Sequence, residues 1–62
     1  MFEKAQIDAL FAELENEWRG KPDFEQLSRD AHLGIALFNA GRPLNNIDPR
    51  IVFLIDKHKS TG

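Results

Sequence analysis

Apolar positions recur along this chain in three blocks, separated by short stretches rich in Gly, Pro, Asn and Asp. In the first block, Ile7, Leu10, Phe11, Leu14 and Trp18 fall at i, i+3, i+4, i+7 and i+11. That spacing places all five on one stripe of a 3.6-residue helix. The residues between them are mostly Glu, Lys, Gln and Ala, which lose little freedom on entering a helix. The pattern predicts an amphipathic helix over about 2–19. Gly20 is placed to stop it in the left-handed conformation that helix ends favour. Ala5, Ala9 and Ala12 lie on the opposite side with Phe2 near them, and read as ordinary helix formers on a surface.

The second block follows Gly20-Lys21-Pro22-Asp23. Asp23 is a candidate N-cap, and Gln26 three residues on approximates a capping box. The helix it opens runs from about 24 to 40 and stops at Gly41, with Pro43 forbidding continuation. Phe24, Leu27, Ala31, Gly34, Ile35 and Phe38 form its primary face, and Leu33, Ala36, Leu37 and Ala40 a second one. Its C-terminal half, Leu33 to Ala40, is apolar nearly all round, and such a helix is usually central to something. Gly34 weakens it by roughly 1 kcal/mol relative to Ala, and its place on the apolar face predicts a close backbone neighbour.

The third block is Ile51-Val52-Phe53-Leu54-Ile55. Composition alone also suits a buried strand. Asp48-Pro49 decides for a helix over 49–58, because Asp at the N-cap followed by Pro at N1 is a helix-start signature. On that helix Ile51, Leu54, Ile55 and His58 share a face while Phe53 points elsewhere. Asn45-Asn46, in the connection before it, tolerate left-handed backbone. Residues 59–62 read as a frayed tail. The expectation is one all-α domain over 1–62, with three helices and the second as hub. Its third helix closes the core of its own chain or of a second copy, by homodimerisation.

Size sharpens this. Of 62 residues, 26 are apolar and none is Cys. A chain of about 60 residues buries only roughly 60% of its unfolded surface, and without Cys no disulfide or thiolate metal site adds stability. A partner or a second copy would.

Charge adds a polarity. The net charge is −2, which draws neither nucleic acid nor an anionic membrane. Residues 1–20 carry five acids and two bases, whereas residues 42–62 carry two acids and four bases. An acidic first third can meet a basic last third, within the fold or between copies. Met1 is followed by an acidic amphipathic segment instead of a basic, then apolar, leader. The longest apolar run, Ile51–Ile55, is far short of a membrane span. The expected location is the cytoplasm.

Catalytic and metal chemistry find little support. Ser28 and His32 stand at i, i+4, but Asp30 lies about 160° from His32 around the helix, so it cannot back the imidazole as a triad requires. His32 and His58 have no second ligand at metal spacing and read as exposed or half-buried. The glycines are isolated, so no phosphate cradle is indicated. No enzyme activity, cofactor, metal or small-molecule substrate is expected. A membrane role for the first helix is opposed by its acidic polar face.

What remains is apolar surplus. Five consecutive large apolar residues on one helix cannot all face one core. The expected function is a non-enzymatic protein-protein interaction module, acting as a homodimer or as a small subunit on a larger partner. Its contact surface would be an apolar patch of Leu33, Leu37, Ile51, Phe53 and Leu54, rimmed by Arg42, Arg50 and Lys57. Glu13, Glu15 and Glu17 would stay solvated or meet a basic surface. The alternative is a dimeric helix-turn-helix-like DNA-binding regulator, with Arg29, Arg50, Lys57 and Lys59 on phosphates. Net negative charge and an eight-residue connection, long for that motif, oppose nucleic acid. Length and helix pattern are shared with small bacterial regulators, phage-encoded inhibitors and assembly factors, a resemblance of size and shape that carries over no functional residue.

Overall fold

The computed structural model describes residues 1–60. They form three helices, α1 (Lys4–Trp18), α2 (Phe24–Asn39) and α3 (Pro49–Lys59). There is no strand among the described residues, so Ile51–Ile55 is helical as the Asp48-Pro49 pair predicts. The Asp48 carboxylate accepts the Arg50 N–H at 2.9 Å and Pro49 occupies the first turn. Lys59 is helical and Ser60 is the cap, so α3 reaches one residue past its expected end; Thr61 and Gly62, the rest of the expected tail, lie outside the described residues.

The first helix starts two residues later than its pattern suggests. Glu3 is extended, at φ −86° and ψ 164°, and its N–H donates to Gln6 Oε1 at 2.8 Å. Phe2 therefore leaves the helix and turns inward. It packs edge-on against Phe38, ring centroids 5.1 Å apart, and its N–H donates to Asn39 Oδ1 at 2.7 Å. This ties the start of α1 to the end of α2. The capping arrangement expected at Asp23 does not form. Asp23 is in the helical region without a side-chain cap bond, and Gln26 instead donates to Asp48 Oδ2 at 3.2 Å. Both side chains are drawn away to the start of α3.

Leu10, Leu14, Leu27, Ala31, Ile35, Ile47, Ile51, Leu54, Ile55 and Phe2 form the core. Ile7, Phe11 and Trp18, the rest of the α1 stripe, are half-buried against it. The third helix closes the core of its own chain. It does so at Gly34, where Ile47, Ile51 and Ile55 converge; a Cβ there would come within 2.6 Å of Ile55 Cδ1. The close neighbour at Gly34 is thus a cluster of side chains, not a backbone. The turns follow expectation: Gly20 at φ 86°, Gly41 at φ 72° and Asn46 at φ 63° take the left-handed conformation.

Contacts give the helix directions. Asp23 and Gln26 meet the start of α3, while Gln6 near the start of α1 donates to His58 O at its far end. α3 therefore runs in the same general sense as α2 and opposite to α1. Residues 40–48 must travel back along the domain, which explains why this connection is long.

Candidate functional site

α1 and α3 leave a groove between them of about 470 Å³. One wall is Glu13, Glu17 and Trp18; the other is Pro49, Arg50, Phe53, Leu54 and Lys57. Each set spans one or two helical turns, so each wall is a single helix face. Phe53 stands at the mouth, 66% exposed, and Leu54 beneath it is buried.

Ionic contacts tie the entry of α3 together at one end of the groove. Arg50 donates from Nε and Nη2 to the two carboxylate oxygens of Asp48 at 3.0 and 2.8 Å, and from Nη1 to Asp23 at 3.2 Å. The side-chain and backbone hydrogen bonds from Arg50 hold the Asp48 carboxyl at about 2, well below its ordinary value. Asp48 also donates its own N–H to Asp30 Oδ2 at 3.0 Å. One guanidinium thus links the entry of α3 to the loop before α2. Its carbon lies 4.9 Å from the centre of the Trp18 ring, and Lys21 Nζ lies at the same distance. Two cations on one indole fix the ring as the end wall of the groove.

At the other end, Glu13 accepts from Lys57 Nζ at 3.0 Å and meets His58 Nε2 at 2.9 Å. Hydrogen bonds from Lys57 and then His58 lower the Glu13 pKa. A carboxylate can only accept, so the proton of this contact sits on His58 Nε2. His58 is buried, not exposed or half-buried as its terminal position suggested. The acidic first third meets the basic last third here, inside one chain. Glu17 differs: it is exposed and makes no ion pair among the described residues.

The residues expected to form one patch are divided by this packing. Phe53, Leu54, Arg50 and Lys57 line the groove. Leu33, 50% exposed, and half-buried Leu37 lie on α2 outside it, and Arg42 is exposed in the connection. Ile51 is wholly buried against Gly34 and offers nothing to a partner. The reason is rotational. α3 seats Ile51 and Ile55 on the primary face of α2, which turns Phe53 away from Leu33 and toward α1. Trp18, Glu13, Glu17 and Pro49 complete the groove and were not expected there. No periodicity within one helix reveals which other helix its outward face adjoins.

The side chains considered for chemistry have other positions. His32 stacks on Phe11 at 4.5 Å between centroids, and the Asp30 carboxylate is bonded to Asp48 N. Among the described residues no group of three or more His, Cys, Asp or Glu is placed to hold a metal ion, and no helix is long and apolar enough to cross a membrane. Each basic residue considered for phosphate contact has a carboxylate of its own chain: Arg29 with Glu25, Arg50 with Asp48, Lys57 with Glu13, Lys59 with Asp56. Compared with known protein families, characterised proteins and solved structures, the chain matches none.

Proposed function

We propose that this protein is a non-enzymatic protein-binding module of the cytoplasm, and that the α1–α3 groove is its docking surface. The observation that carries the reading is Phe53. Every other large apolar residue of α3 is buried or half-buried, yet Phe53 is 66% exposed beside a groove walled by Trp18 and Leu54. An aromatic ring held over a concave apolar surface and flanked by charged residues has the make-up of an interface centre with a polar rim. The paired basic side chains weigh against the regulator reading, because phosphates would have to compete with the five internal ion pairs those four residues make.

Photo-cross-linking tests this. A benzophenone amino acid at position 53 should give protein adducts that competing unlabelled wild-type chain suppresses, while the same probe at exposed Ala12 should not. Adducts of equal yield at both positions, or none at position 53, would overturn the reading.

A further inference from the structure

We draw no further inference here: the strongest candidate, the apolar groove between α1 and α3 beside exposed Phe53, belongs to the docking surface already described, and nothing in the structure shows what covers it.

Discussion

The Glu13 carboxylate and the His58 imidazole meet at 2.9 Å, although 45 positions separate them in sequence. Lys57 reaches the other oxygen of the same carboxylate at 3.0 Å. One acid on α1 thus fastens the last turn of α3, beside a core that α3 completes with Ile51, Leu54 and Ile55.

Removing that charge should loosen the end of the domain. Glu13→Gln keeps the shape but leaves one amide oxygen to accept where two carboxylate oxygens did, and should cost about 1 kcal/mol. The sign with pH follows from the lowered pKa of Glu13. An acid held below its ordinary value contributes its full stability above about 4.5 and loses it as the pH falls. Denaturant titrations at pH 7 and pH 3 should therefore find the variant's deficit smaller at the second than at the first. An equal deficit at both would mean that packing, not charge, is what Glu13 supplies.

Asp48 should shape the acid limb more strongly. Its carboxylate caps α3 and grips Arg50 through both oxygens. With its value moved from 3.8 to about 2, its contribution is complete above pH 3.8 and disappears as the pH falls toward 2. Asp48→Ala loses the cap and the ion pair together and should cost about 1–3 kcal/mol at neutral pH. The variant's stability should also change less between pH 4 and pH 2 than that of the wild type. Thermal unfolding in that interval checks both statements.

These two carboxylates mark where the sequence was readable and where it was not. Asp48-Pro49 announces a helix start because both residues act on the backbone beside them. The stripe from Ile7 to Trp18 and the stop at Gly20 are local in the same sense. The Glu13–His58 contact, and the diversion of Asp23 and Gln26 to the start of α3, depend on how helices are arranged in space. Spacing along one helix carries no information about that. The expected apolar patch is divided for the same reason. Its members were chosen helix by helix, and the rotation of α3 on Gly34 buried Ile51 and parted Phe53 from Leu33.

Phe53 and Ile51 should therefore behave oppositely despite standing two residues apart. Ile51→Ala empties a fully buried site and should cost about 2–5 kcal/mol. Phe53→Ser removes an exposed ring and should change monomer stability by no more than about 0.5 kcal/mol. Chemical denaturation at a protein concentration low enough to exclude self-association makes the comparison. A large loss for Phe53→Ser would mean that its ring packs within its own chain, and the docking surface would lose its centre.

Gly34 offers the sharpest test of the packing. Replacing Gly with Ala inside a helix gains about 1 kcal/mol of helix propensity. Here the added methyl would lie 2.6 Å from Ile55 Cδ1, whereas Ile47 and Ile51 stand at an ordinary 3.7 Å. The conflict is with one terminal methyl, which is removed by Ile55→Val. Alone, Ile55→Val should cost about 0.5–1.5 kcal/mol for the lost methyl. Alone, Gly34→Ala should fall near the wild type, propensity offsetting the forced rotation of Ile55. Together, the new methyl at position 34 occupies the space vacated at position 55, and the propensity gain is no longer opposed. The double variant should be more stable than the sum of the two single changes by about 1 kcal/mol. Strict additivity in that cycle would mean that residues 34 and 55 do not touch, and the crossing of α2 and α3 would have to be placed elsewhere.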